Sequence, residues 1–283
     1  MPRFLDDYGV PITYYEWLVE NPKAIVQIAH GVGEYAQRYA EVASVLNASG
    51  YSVIADDHRG HGQTGLEQHA GDYSQLGMLG PGGLRAAEKA ILRLGALIRI
   101  EHPGTPLVYL GHSWGSLMGQ RILNKHPQAY DAVIFSGSAY RMPGFMESGD
   151  LNKRYTRPGG TGVEWLSRDV EVQREFSEDP LTFDAKVLKL FGLRDSLRLF
   201  GRPGKHLNAD MPLLLMVGEC DSLGGERSVE RLAREYHTRG GLRNVTAIIY
   251  EGARHEIFNE TNRDEVYTDL VEWLDEQNAT YSR

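Results

Sequence analysis

VYLGHSWGSL, residues 108–117, sets Ser113 between Gly111 and Gly115 where an apolar run gives way to a helix-like one. The question it raises is whether Ser113 is a nucleophile or a turn residue. With 32 glycines in 283 residues, G-x-S-x-G is expected about 0.2 times by chance, so context has to decide. In a nucleophile elbow the serine sits at positive φ on a tight strand-to-helix turn, and glycines two residues to either side relieve the crowding. Gly111 and Gly115 meet that demand, with LVYL before them and a helical pattern after.

Working outward, short β-rich runs alternate with longer helical ones. Strands are expected at 12–19, 24–29, 51–55, 107–111, 131–136, 212–217 and 245–250, with Asp6-Asp7-Tyr8-Gly9 turning a first hairpin. Helices are expected at 37–48, 84–101, 114–126, 226–238 and 264–277, from apolar residues at three- and four-residue spacing. This alternation implies an α/β fold, a mostly parallel central sheet flanked by helices. Residues 138–207 break the pattern with Gly-Pro punctuation and two or three helical stretches. They read as a helical cap inserted after the sixth strand (the hairpin's first strand included), over a core of residues 1–137 and 208–283, at the strand ends where open α/β sheets bind ligands.

Composition narrows the function classes. A net charge of −8 argues against a nucleic-acid partner. One cysteine, Cys220, excludes an internal disulfide and fits a reducing compartment such as the cytoplasm. The first residues carry charges where a signal peptide would carry an apolar core, and ILRLGALIRI is broken by Arg93 and Arg99, so neither secretion nor a membrane span is expected.

A serine hydroxyl needs a base, an acid to orient it and donors for the oxyanion. His255, in the loop after the last strand, is the candidate base, whereas His206 and His237 are not placed to serve. Asp221, further into the loop after 212–217 than Glu219, is the candidate acid, and Glu219 reads as solvated. The order Ser113, Asp221, His255 matches one hydrolase architecture. The oxyanion donors are expected to be the N–H groups of Trp114 and of Val32, in the loop IAHGVGEYAQRY. Glu34 and Arg38 read as an i,i+4 pair, and His112 as a packed residue whose ring points away from Ser113.

These motifs together resemble the monoacylglycerol lipase and lysophospholipase group of α/β-hydrolases. That group carries an H-G-x-G-E…R-Y loop, a D-x-R-G-H-G segment, a G-H-S-x-G elbow, a G-x-x-D acid loop and a late His. Here they stand as His30 to Glu34 with Arg38-Tyr39, Asp57 to Gly62, Gly111 to Gly115, Gly218 to Asp221, and His255. Glu164 to Asp169 and Asp179-Pro180-Leu181 resemble that group's cap. The resemblance implies the α/β-hydrolase fold and hydrolysis of a single-chain ester, a monoacylglycerol, a lysophospholipid or a smaller carboxylester, without a cofactor or a metal. It also implies a substrate site that includes Gly31, Leu188 and Phe191. The chain departs from the group at Trp114 and Ser116, and an indole beside the nucleophile would narrow the acyl site.

Three other readings stand beside this one. An aminopeptidase of the same fold is favoured by Trp114-Gly115-Ser116, a partial match to W-G-S-x-L, and opposed by the absence of an H-G-G-P-G loop. A ligand receptor on the hydrolase scaffold would bind an ester with negligible turnover. A zinc site at Asp56 to His61 is opposed by Arg59 between the histidines. Finally, residues 182–206 carry six basic residues against Asp184 and Asp195. Their leucines and phenylalanines predict helices about Gly192 that pack an apolar face inward and present a basic rim, able to make weak peripheral contact with membranes.

Overall fold

A computed structural model describes residues 1–281. Eight strands form one sheet in the order β1-β2-β4-β3-β5-β6-β7-β8. They are β1 Arg3–Leu5, β2 Pro11–Trp17, β3 Ile25–Ala29, β4 Ser52–Asp56, β5 Leu107–His112, β6 Ala132–Ser136, β7 Leu213–Gly218 and β8 Val245–Tyr250. Pairs β1·β2 and β2·β4 are antiparallel and all others parallel. Asp6 makes the first turn, its carboxylate accepting from the N–H groups of Tyr8 and Val10.

Side chains alternate across the sheet with the period of two that strands impose. Ile25, Tyr109, Phe135 and Leu215 face a core built with α3 (Gly83–Glu101), α4 (Trp114–Leu123) and α7 (Gly225–Glu235). Val26, Leu110, Ile134 and Leu214 face a second core with α1 (Ala40–Ala48) and α8 (Arg263–Tyr281). Strands β3 to β7 are buried at every position, which is why they read as continuous apolar runs. A short helix, α2 Gly62–Gln68, escapes the periodicity because three of its seven residues are buried small ones, Gly62, Thr64 and Gly65.

Between β6 and β7 lie α5 (Val170–Glu178) and α6 (Val187–Arg198) with long connecting loops; this segment covers the carboxyl ends of the strands and is referred to as the cap. Asp169 caps α5 by accepting from the Glu171 N–H. Helix α6 is two pieces joined at Gly192, whose φ of 71° and ψ of 169° only glycine adopts readily. Its second piece is tied down: Asp195 accepts from the Leu84 N–H at the start of α3, and Arg121 and Arg141 donate to the Arg198 and Leu199 carbonyls at its end. The inward-packed apolar face expected for this helix forms only in part, through Val187 and Phe191, which pack on the first core. Leu188, Leu193 and Leu197 point outward, 61%, 67% and 60% exposed, and Asp195 is the residue of α6 that is buried. Among the described residues no helix is long and apolar enough to cross a membrane.

Candidate active site

The turn between β5 and α4 holds Ser113 at φ 50° and ψ −118°, a backbone conformation a non-glycine residue rarely adopts. Three bonds fix it: the Ser113 N–H donates to the Ser136 carbonyl at 2.9 Å, and the Ser113 carbonyl accepts from the Leu117 N–H and from the Ser116 hydroxyl at 2.6 Å. The flanking glycines are steric necessities, because a Cβ on Gly115 would stand 2.0 Å from the Ala29 carbonyl and one on Gly111 2.7 Å from the Tyr109 ring.

Loops after β7 and β8 bring Asp221 and His255 together. His255 Nδ1 lies 2.9 Å from both Asp221 carboxylate oxygens, and Asp221 Oδ1 also accepts from the Leu223 N–H. Both residues are buried. Burial alone would push the imidazole pKa down, but the Asp221 charge and hydrogen bond outweigh it and hold His255 above its ordinary value of 6.5. His255 Nε2 is buried without a hydrogen-bond partner among the described residues, and the ring lines the same cavity as Ser113. Glu219 is exposed, its carboxylate accepting from the Gly252 N–H.

The loop after β3 carries Gly31 and Val32 into that cavity. His30 Nε2 accepts the His58 N–H, so its proton sits on Nδ1 and is donated to the Gly31 carbonyl at 2.7 Å. That bond orients the Gly31–Val32 peptide. On the other side the Gly31 N–H donates to Glu34. Glu34 and Arg38 pair at 3.1 Å, yet Arg38 also binds Glu256, the residue after His255, with both terminal nitrogens at 2.7 and 2.8 Å. The pair expected on one helix is therefore half of a bridge between the loop after β3 and the histidine loop. Burial favours the protonated form of both acids; Arg38 overrides it at Glu256, whose carboxyl lies below the ordinary range, whereas at Glu34 burial dominates and the carboxyl lies above it. Glu256 was not legible as a site residue, since its partner is far away in the chain.

The cavity is narrow, with a volume of about 20 Å³. Its cap side is Val163, Trp165, Leu166, Phe176, Phe183, Asp184 and Ala185. Trp165 lies against His255, ring centroids 4.5 Å apart, and the Phe183 N–H donates to the Gly33 carbonyl, joining cap to loop. The expected substrate contacts Leu188 and Phe191 lie outside this lining: the bend at Gly192 and the outward face of α6 leave Leu188 exposed, and Phe191 packs on Trp114 at 5.0 Å. The Trp114 indole, expected to narrow the acyl site, is instead buried beneath the cap against His58 and His61. Trp114 supplies the first N–H of α4 while its ring faces away from the cavity lining. His112 does line the cavity, and its Nδ1 lies 3.2 Å from the Ser136 hydroxyl. In the 56–61 segment the side chains diverge, Asp56 meeting His58, Asp57 accepting backbone N–H groups of Ala36 and Gln63, and His61 meeting the Arg59 carbonyl.

A family model described as serine aminopeptidase, S33 (Hydrolase_4) matches residues 20–262. The chain belongs to that family. It is an α/β-hydrolase, and its relatives extend over almost the whole chain. A monoacylglycerol lipase of Mycolicibacterium smegmatis is 29% identical over 94% of this chain and 93% of its own, and the monoglyceride lipase of Homo sapiens 25% identical over 92% and 85%. Among solved structures, a thermostable carboxyl esterase from Bacillus coagulans in complex with glycerol superposes with a TM-score of 0.84 at 22% identity, covering 98% of both chains. The Paleococcus ferrophilus monoacylglycerol lipase gives 0.68 at 25% identity, covering 94% of this chain and 99% of its own.

Proposed function

We propose that the chain is a serine carboxylic-ester hydrolase, with Ser113 as nucleophile, His255 as general base and Asp221 as the acid that orients it. The observation that carries the reading is the His255–Asp221 contact, which leaves Nε2 free in the cavity that Ser113 enters on a strained turn. His255 Nε2 takes the Ser113 proton as Oγ attacks the ester carbonyl, and Asp221 stabilises the imidazolium. The N–H groups of Val32 and Trp114 receive the oxyanion, and collapse expels the alcohol with the proton returned by His255. Water, activated by the same imidazole, then cleaves the acyl-enzyme. No step calls for a metal or a cofactor.

The substrate we infer is a single-chain ester. The cap side of the cavity is mostly apolar and aromatic, which suits an acyl chain, and a cavity of about 20 Å³ has to widen before an ester can enter. The monoacylglycerol lipases among the relatives support the same class. The family's aminopeptidase description fits less well. An aminopeptidase needs an unpaired carboxylate for the substrate ammonium, and here Glu34 and Glu256 are engaged by Arg38 and Asp184 by Lys186. Residues 138–207 act as a cap over a core of 1–137 and 208–283, and its exposed leucines meet lipid aggregates weakly.

The test is a p-nitrophenyl and monoacylglycerol ester series from two to sixteen acyl carbons, run beside aminoacyl nitroanilides. Steady release of acid that is lost, with fluorophosphonate labelling, in Ser113→Ala is the expected result. Labelling that survived this change would remove Ser113 from the mechanism. Binding of esters without multiple turnover would favour the receptor reading.

A further inference from the structure

The three consecutive backbone N–H groups around the proposed base leave the histidine loop for partners outside its own turn. The Arg254 N–H donates to Glu260 Oε1 at 2.9 Å, the His255 N–H to the Trp165 carbonyl at 3.4 Å, and the Glu256 N–H to the Leu166 carbonyl at 2.7 Å. Two of those acceptors belong to the cap. The third, Glu260, is a completely buried carboxylate that the reaction itself does not use. Its Oε1 also accepts the cap's Arg168 N–H at 2.9 Å, and its Oε2 accepts the Arg168 Nε–H at 2.9 Å and the Thr261 N–H at 2.8 Å. Further bonds close the same seam. The Arg254 guanidinium donates to the Glu164 and Ser167 carbonyls, and the Ser167 hydroxyl donates to the Asn259 carbonyl.

Residues 164–168 are therefore a strap bonded along the length of the histidine loop. It differs from the first piece of α6, whose outer residues Leu188 and Lys189 are exposed. A buried carboxylate holding two separate segments costs desolvation that must be offset by complete satisfaction of its oxygens, as it is here. Such a group fixes geometry. His255 must hold Nδ1 on Asp221 while Nε2 meets Ser113, and a displacement of about 1 Å in such an arrangement can cost about 100-fold in rate.

We propose that Glu260 is a positioning residue for the general base, holding His255 in register by clamping Arg254 to the cap strap 164–168, so that this part of the cap belongs to the catalytic support and is not a moving lid. The proposal rests on the reading of Ser113, Asp221 and His255 given above. Its signature differs from that of a residue that only stabilises the fold. The groups facing His255 are Asp221, which raises its pKa, Glu256 and Glu34, which raise it further, and His112 and Arg38, which bear on it through Glu256 and the ring contact at 4.8 Å. If the loop slackens, the Asp221 contact weakens first and burial dominates, which moves the imidazole pKa down.

Glu260→Gln keeps an acceptor for Arg168 and Arg254 N–H but turns an amide N–H₂ against the Thr261 N–H and Arg168 Nε–H. With a soluble short-chain p-nitrophenyl ester, and rates divided by active sites titrated in the burst, the expected result is a kcat lowered about 10- to 100-fold. KM should stay within about twofold, and the acid limb of kcat/KM should move to lower pH. Arg168→Gln, at a partly exposed side chain, should give a smaller change in the same direction, and the double variant less than the product of the two. An unchanged kcat per titrated site in both variants would overturn the proposal. So would a lowered kcat with an unmoved acid limb, since the loss would then not lie in the base. If Glu260→Gln does not fold, Arg168→Gln carries the test alone. A fully active Ser113→Ala would instead overturn the reading of the site itself.

Discussion

Core and cap hold their shapes by different means. In the core, β3 to β7 are buried throughout and the helices lie on two apolar clusters, so position follows from the periods of two and 3.6 that the chain writes out. In the cap, α5 buries Gln173 and Phe176 and α6 buries Asp195, while most of the remaining surface stays open. Met146 and Leu199 join the first apolar cluster and Val187 and Phe191 pack against it, and polar bonds to particular partners do the rest: Asp195 to the start of α3, Arg141 to Leu199, Glu260 to Arg168. The core therefore supplies a rigid frame for Ser113, Asp221 and His255, and outside the strap 164–168 the cap is free to vary the pocket.

If that division holds, the largest losses of turnover belong to core loops. Asp221→Asn should lower kcat by about 10³- to 10⁴-fold by leaving the imidazole in the wrong tautomer, while Glu219→Gln, two residues away and exposed, should stay near wild type. The reverse ranking in steady-state kinetics would reassign the acid. Because Asp221 holds His255 above 6.5, kcat/KM should fall as pH drops through a value above 6.5, where the imidazolium no longer accepts the serine proton. A rate flat from pH 5 to 8 would contradict His255 as base.

The seam between the two regions comes next. Gly33 has φ +83° and faces the cap so closely that a Cβ would stand 2.2 Å from the Phe183 carbonyl. Gly33→Ala must push the cap segment at Phe183 away or twist the loop that orients Val32, and we expect kcat/KM to fall about tenfold or more, with a loss of stability of about 1–3 kcal/mol. A variant of normal activity and melting temperature would show that cap and loop are not mechanically joined.

What the sequence made legible follows the same boundary. Ser113, Asp221 and His255 could be picked out because the chemistry calls for them in the loops after β5, β7 and β8, and strands announce themselves as apolar runs. Trp165, Phe183 and Glu256 could not, for their places depend on how a loop-rich segment folds back over residues 70 to 220 positions away. The same limit explains Leu188, Leu193 and Leu197. Their spacing suggests a buried face, but the bend at Gly192 and the tie from Asp195 turn them to the surface. A resemblance could supply the cap's existence, and only packing could supply which of its side chains look inward.

Cap side chains that line the cavity should alter selectivity more than rate. Phe183→Ala removes a ring from the wall and should raise the ratio of long- to short-chain ester turnover several-fold, whereas Trp114→Met, whose indole packs on His61 away from the lining, should leave that ratio unchanged. A shifted profile for Trp114→Met alone would return the indole to the acyl site.

The smallest effect on soluble-ester turnover, none at all, is expected at the outer face of α6. Leu188, Leu193 and Leu197 lie there with exposed Lys189 and Arg194, in a chain of net charge −8. Apolar residues flanked by cations suit the boundary of an anionic lipid aggregate. Lys186 adds less, being paired with Asp184 at 2.7 Å. Each free basic residue near such a surface is worth about 1 kcal/mol, so Lys189→Gln with Arg194→Gln should weaken binding to anionic vesicles by roughly 30-fold at low salt. The difference between variant and wild type should shrink as salt screens the surface. Leu188→Ser with Leu193→Ser should weaken binding to neutral and anionic vesicles alike, because it removes the apolar term and leaves the charge. Co-sedimentation measures both, and p-nitrophenyl acetate turnover in the same samples should stay at the wild-type rate. Equal binding of wild type to neutral and anionic vesicles would remove the electrostatic contribution. Absence of binding to either would leave α6 as packing over Trp114 alone.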